Sequence, residues 1–302
     1  MTEPPNAKSS AFTLLLPILA VAGLYLLVAL GTESPLWRWL VRGEPVGLEM
    51  ALSEDECNQA VRLEAAFTRM NYRLDRIAAG HRVPPLFLPS LPGDLDSLDQ
   101  IDTKKQVFLR LMLPLVLVIN EEIAEDRARL EAMHQGKAAR DDGWLADLAQ
   151  RYQAPGTDMA GLLRRVDVVP PSLALAQAVE ESGWGTSRFV REGNNLFGQV
   201  GGDIVPEGDQ SGPAMASFTS LHAAVRAYAQ NLNSHPAYEP LRRIRAQIRA
   251  RGGSPDGHSL AGALTAYSER GHAYVDSIRA LIRHNNLLRY DHARLGRQGL
   301  LS

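Results

Sequence analysis

The hydrophobic pattern divides the chain before any single residue is considered. Residues 11–30, "AFTLLLPILAVAGLYLLVAL", form an uncharged apolar run of about the twenty residues that a membrane-spanning helix needs. A cleaved signal has a shorter apolar region, about 7–15 residues, so the run predicts an uncleaved anchor with residues 1–10 as a tail on one side. Trp37 and Trp39 beyond it suit a membrane interface. Lys8 on one flank and Arg38 and Arg42 on the other leave the positive-inside rule nearly silent on orientation. A second apolar run, "VFLRLMLPLVLVI" at 107–119, contains Arg110 and Pro114 and is too short to span; it predicts a buried helix.

Elsewhere the apolar positions recur at helical spacing. Ala60, Leu63, Phe67, Met70 and Leu74 predict a helix over 52–80, stopped at Gly80. Residues 83–93 hold Pro84, Pro85, Pro89 and Pro92, which forbid a regular helix and predict an extended connector. Its Leu and Phe content predicts that it packs on a neighbour. A long helix follows over 103–133, closed by Gly136, so 31–140 read as a helical N-terminal region. Short amphipathic helices are predicted at 144–152 and 158–166. Pro170-Pro171 then open a helix that ends at Gly183, because Pro suits a first turn and Gly a left-handed cap. An irregular hairpin follows Gly198. Ser220 caps a helix with Leu221, Ala224, Val225, Tyr228 and Leu232 on one face. The run Arg242, Arg243, Arg245, Arg249 and Arg251 reads as a solvated helix face, and a last helix covers 272–286. The fold class is mainly α, α+β by virtue of the hairpin.

Composition narrows the chemistry. The chain has 302 residues and a formal charge of -2, a balance that points to no nucleic-acid partner. One cysteine, Cys57, excludes an intramolecular disulfide and a Cys-rich zinc site. The scattered histidines show no ligand spacing, so neither a metal nor a cofactor is expected.

The stretch "AVEESGWGTSRFVREGNNLFGQ", 178–199, is unusual. A helix C-terminus carries partial negative charge, yet this helix ends on two carboxylates, Glu180 and Glu181. An acid there is either solvated or raised in pKa for a purpose. The two side chains diverge by about 100° around the helix, so they need not share a fate.

With its context, "LALAQAVEESGWGTSRFVREGNNLFGQ" resembles the signature of the bacterial glucosaminidases of glycoside hydrolase family 73, and within it the Bax-type membrane-anchored members. "FTSLHAAVRAYAQNLNSHPAYEPLR", "AYSERGHAYVDSIRALIRHNNL" and, upstream, "KKQVFLRLMLPLVLVINEEI" fit the same pattern. The resemblance implies a lysozyme-like fold: a helical lobe, a small β-hairpin lobe and a glycan groove between them. Placed at 141–292, that domain leaves 293–302 as a tail. The resemblance also makes Glu181, the acid immediately before Ser-Gly-Trp-Gly, the general acid. Such an acid must be protonated near neutral pH, and a helix C-terminus and a neighbouring indole such as Trp184 both raise its pKa. Glu180 occupies a variable position of the family and receives no role; solvent or a basic neighbour is expected to meet it.

Other roles follow from the same resemblance. Tyr267 matches a tyrosine near the general acid, with a catalytic role in which its hydroxyl orients a carboxyl or the substrate's acetamido group; Tyr274 matches a second tyrosine and, with Trp184, Asn195 and Phe197, is expected to bind substrate in the groove. Core packing is the competing reading for Phe197, Tyr228, Tyr267 and Tyr274. Many relatives have Tyr-Ala-Thr-Asp where this chain has Tyr-Ser-Glu-Arg, which puts the contacts next to Tyr267 in question. Inverting enzymes place a base roughly 6.5–9.5 Å from the acid and retaining ones a nucleophile at roughly 5–5.5 Å. The hairpin offers Asp203, Glu207 and Asp209, of which Glu207 is the choice; the substrate's acetamido group is the alternative. The expected activity is cleavage of β-1,4 bonds next to N-acetylglucosamine in peptidoglycan glycan strands. The protein would be a monomer held in the bacterial inner membrane by residues 11–30, with its catalytic domain in the periplasm. A muramidase or lytic transglycosylase on the same fold, or a non-catalytic glycan-binding scaffold, are the rivals.

Overall fold

The computed structural model describes residues 52–204 and 214–296, leaving out the side chain of Asp203. The expected anchor at 11–30, the interfacial tryptophans, Glu207, Asp209 and the last six residues of the chain therefore lie outside the described residues. What is described falls within one compact unit, Leu48–Ser302, and is mainly helical.

Helix α7, Pro171–Ser182, forms the axis of the fold. Every residue from Pro171 to Val179 is buried. Such an all-round apolar helix needs neighbours on each side, and it has them: α12 (His272–His284), α4 (Ile101–His134), α11 (Gly257–Ala261) and the 3₁₀ turn Leu287–Tyr290. Its N-terminus is capped from far along the chain. Asp291 accepts from the Ser172 amide at 2.7 Å and from the Ser172 hydroxyl at 2.7 Å, satisfying an amide that no helix can pair internally.

Helix α4 carries the apolar run 107–119 as a buried segment, as the sequence predicts. Among the described residues no helix is long and apolar enough to cross a membrane. α4 also packs on α9 (Leu221–Ser234), so the region before residue 141 and the region after it share one core. The proline-rich connector is packed: Leu86, Phe87, Leu88 and Leu95 are all buried.

Two expectations need correction. The helix expected over 52–80 is three pieces: α1 (Glu54–Asn58), α2 (Ala60–Arg69) and α3 (Leu74–Ala78). α1 begins in a capping box formed by Ser53 and Glu56. It ends at Gln59, which is extended, and the Ala60 amide turns to Asp94 Oδ1 at 2.9 Å. A carboxylate from the connector thus starts α2 afresh. Secondly, the basic run is a solvated face only in part: Arg243 and Arg251 are exposed, and the others turn inward. Arg242 and Arg245 of α10 (Glu239–Ala250) are buried. The Arg245 guanidinium donates to the carbonyls of Arg164, Arg165, Asp167 and Val168. These carbonyls lie at the end of α6 (Met159–Arg165) and in the loop after it, where the helix ladder no longer pairs them; that of Arg165 also accepts from the Asp167 amide and that of Asp167 from Asn233. Arg249 makes a two-pronged pair with Asp167, at 2.6 and 2.7 Å.

The β part is small. Strand β1, Val200–Ile204, meets Met215 in antiparallel bridges, and residues 205–213 between them are outside the described residues.

Candidate active site

The site grows from the last turn of α7 and the turn after it. Gly183 closes the helix in the left-handed conformation, φ 56°. The Ser182 hydroxyl is buried, bonds back to the Ala178 carbonyl and accepts from the Gly185 amide at 2.9 Å. Gly185 has φ +83°, and a Cβ there would stand 2.5 Å from Leu91 Cδ1 and 3.0 Å from Phe108. Only a glycine lets the connector and α4 close on this turn. The short helix α8, Arg188–Gly193, follows, and Ser187 caps it.

Glu181 leaves the helix here, partly buried. Burial pushes its pKa up, and the neighbouring charge of Glu180 adds to the rise; a hydrogen bond with Tyr274 and the positive charge of Arg270 oppose it. The unpaired carbonyls of the helix end likewise disfavour the anion. One turn earlier on the same face stands Gln177, fully buried. Its Nε2 donates to the Tyr274 hydroxyl at 3.0 Å, and its Oε1 accepts from the Tyr228 hydroxyl at 2.7 Å. Since the Tyr274 oxygen accepts from Gln177, its proton is free to point at Glu181. The result is a fixed line: Tyr228, Gln177, Tyr274, Glu181. Gln177 is a positioning residue the sequence reading missed, although its i,i+4 relation to Glu181 was visible. Gly198 covers the carboxyl from the opposite side, with φ +64°.

The other expected residues fall as follows. Tyr274 is buried and acts through Glu181, not as a surface for ligand. Tyr267 stacks on Tyr274, centroids 5.4 Å apart, and donates to the Phe197 carbonyl at 2.9 Å; it positions the Asn-Asn-Leu-Phe-Gly turn. Asn195 and Phe197 do not present groups to a groove. Asn195 is 1% exposed, and its side-chain amide is spent on the backbone of Gln199 and Ala216. Phe197, also 1% exposed, stacks on Tyr228 at 3.9 Å. Both hold the turn and the root of the hairpin, which is the core reading of Phe197. Trp184 is half-buried and meets Phe108 of α4 edge-on, with Lys105 Nζ 5.4 Å from its ring centroid.

Glu180 pairs with Arg270 and accepts from the Ser277 hydroxyl at 2.9 Å. Arg270 is the arginine of the Tyr-Ser-Glu-Arg departure. It meets the acid at the variable position, so the two unusual residues complete each other.

The last turn of a central helix thus carries a partly buried carboxyl whose pKa burial raises, with a tyrosine beside it. The family comparison supplies its class: the glucosaminidase family model, described as mannosyl-glycoprotein endo-beta-N-acetylglucosaminidase, matches residues 158–287. Protein bax of Escherichia coli (strain K12) is 33% identical over 210 residues, covering 66% of this chain and 76% of that protein. The chain belongs to the Bax-type glucosaminidase family, and with it to the hydrolases that act on glycans. No solved structure matches the chain.

Proposed function

We propose that the protein cleaves the β-1,4 glycosidic bond next to N-acetylglucosamine in peptidoglycan, on a lysozyme-like fold, with Glu181 as general acid. The observation that carries this is the Glu181 environment: burial that raises the pKa, combined with a hydrogen bond from Tyr274. In the reaction the Glu181 proton passes to the glycosidic oxygen as its bond to C1 breaks. Water, directed by a carboxylate or following attack by the acetamido oxygen, then takes C1.

Among the described residues, Glu180 is the carboxylate whose charge acts on Glu181, and Arg270 and Ser277 occupy it. It is poorly placed to serve as base. The second group therefore comes from Asp203, Glu207 or Asp209, or from the substrate itself. Residues 11–30 would hold the chain in the inner membrane with this site facing the periplasm, where the substrate lies. Digesting purified sacculi and weighing the released muropeptides tests the reading. Reducing-end N-acetylglucosamine supports it. Reducing-end N-acetylmuramic acid would make the protein a muramidase, and 1,6-anhydro products a lytic transglycosylase.

A further inference from the structure

A second concave site, of about 610 Å³, opens beside the N-terminal end of α4. α2 and α3 form one wall, and the end of α12 with the turn after it closes another. Its floor carries Arg110, which is 6% exposed. A buried guanidinium is costly unless a carboxylate pairs with it, and among the described residues Arg110 has no ion pair. Its Nη2 donates to Gln106 Oε1 at 2.8 Å, its plane lies 5.3 Å from the Phe67 centroid, and its buried Nε has no partner. Of the acids that line the cavity, Asp75 is bonded by Arg73 at 2.7 Å, Glu64 accepts from Thr68 at 3.2 Å, and Asp102 is exposed; none of the three is in an ion pair with Arg110. Lys105 and the exposed Arg289 also line the cavity, and neither is in an ion pair among the described residues. Three cations without salt-bridge partners, one of them buried, fit a carboxylate ligand, which guanidinium binds in a two-pronged geometry.

Lys105 ties the cavity to the turn that follows the acid. Lys105 lines it and also reaches over the ring of Trp184, three residues after Glu181. A sugar chain passing Glu181 beside Trp184 would bring whatever it carries toward Lys105. Peptidoglycan carries short peptides with free carboxylates on alternate sugars, and three extended residues span roughly 10 Å. We infer that this cavity binds a carboxylate of the peptide stem, with Arg110 as its deep anchor and Lys105 and Arg289 at its mouth. The inference rests on peptidoglycan being the substrate.

Calorimetry tests it with the full-length protein and a stem tripeptide, L-Ala-γ-D-Glu-diamino acid, beside the same peptide with its carboxyls amidated. The free tripeptide is expected to bind, the amidated one to lose binding, and both Arg110→Gln and Arg289→Gln to weaken the free tripeptide at least about tenfold, the loss of one charge-assisted contact. Arg289 is exposed, so its variant decides the matter if Arg110→Gln fails to fold. No binding to the wild type, or equal binding of the amidated peptide, overturns the inference. Cleavage is read separately, on sacculi and on glycan stripped of its peptides. A raised KM with unchanged kcat on stripped glycan supports the inference. Tripeptide binding without cleavage of either substrate supports the pocket and refutes the hydrolase reading.

Discussion

Gly198 lies against the carboxyl of Glu181: a methyl group built on it would stand 2.8 Å from Glu181 Oε2 and 3.5 Å from the carboxyl carbon. The glycine that ends the Asn-Asn-Leu-Phe-Gly turn is thus the lid on the acid, and its φ of +64° is one that a side chain rarely adopts. Gly198→Ala is expected to push the carboxyl aside and lower kcat about 100-fold, the scale of a misplacement of about 1 Å. The backbone strain adds a stability loss of about 1–2 kcal/mol. Gly136→Ala is the control, since φ there is +69° and nothing lies within 4 Å of its added Cβ. It should show the stability loss alone. Equal kcat in the two variants, measured on sacculi, would remove Gly198 from the site.

Glu181→Gln keeps the shape of the side chain and removes its proton. Cleavage should fall by about 10²–10⁴-fold, the usual worth of such an acid, and circular dichroism should be unchanged. Stability should move the other way. The folded pKa of Glu181 lies above its ordinary 4.5. Below pH 4.5 the group is protonated in both states and costs nothing. As pH rises from there toward the folded pKa, the unfolded chain ionises first and the wild type loses stability. Above the folded pKa that loss is complete and persists. The Gln variant escapes it, so the two melting temperatures should agree near pH 4, with the variant higher at pH 8. A wild type that gains on the variant with rising pH would mean that the carboxylate is stabilised, which a general acid at neutral pH is not.

Neighbours of the acid should shift the pH profile in opposite directions. Activity needs protonated Glu181, so the alkaline limb of kcat/KM reports its pKa in the free enzyme. The Tyr274 hydrogen bond lowers that pKa and the Glu180 charge raises it. Tyr274→Phe should therefore move the limb to higher pH, and Glu180→Gln to lower pH, with only mild loss of rate for the latter. Gln177→Leu tests the line behind Tyr274. It strands two buried hydroxyls at a cost of about 1–3 kcal/mol each at most, and it frees the Tyr274 proton from its fixed direction. Its limb should move toward that of Tyr274→Phe, which a merely structural loss would not do. Shifts of the same sign for Tyr274→Phe and Glu180→Gln would contradict this electrostatic picture.

These residues also show what a sequence discloses and what it hides. Helix α7 was legible because its signals are local: proline at the first turn, an apolar body, glycine at the cap. Glu181 was legible for the same reason, since its motif is contiguous. The break at Gln59 was not, because the group that starts α2 is Asp94, 34 residues away. Arg242 and Arg245 of α10 looked solvated by composition alone; only the fold shows that the carbonyls of Arg164 and Arg165 at the end of α6 meet Arg245. Asn195 and Phe197 stand in a turn, where polar and aromatic side chains suggest ligand contact, yet the turn itself consumes them. Gln177 sits on the right face one turn from the acid, but its meaning depends on Tyr228 and Tyr274, brought from 51 and 97 residues away.

The last prediction concerns the group opposite the acid. Glu207 is the preferred base among the three acids that the hairpin offers, Asp203, Glu207 and Asp209, and the hairpin starts beside the turn that Asn195 ties down. If Glu207 directs the water, Glu207→Gln should lose cleavage nearly as fully as Glu181→Gln, while Asp203→Asn and Asp209→Asn retain most of it. Replacement of Glu207 by alanine should then recover activity in added azide, which takes the vacant place and leaves an azide adduct on the sugar. If the acetamido oxygen attacks C1 instead, no protein carboxylate is needed opposite the acid. All three single variants should then keep substantial rate, and a substrate lacking the N-acetyl group should not be cut. Rates for the three variants beside Glu181→Gln, on the same sacculi, separate the two mechanisms. Loss of cleavage confined to Asp203→Asn or Asp209→Asn would exclude Glu207 and move the base to that residue.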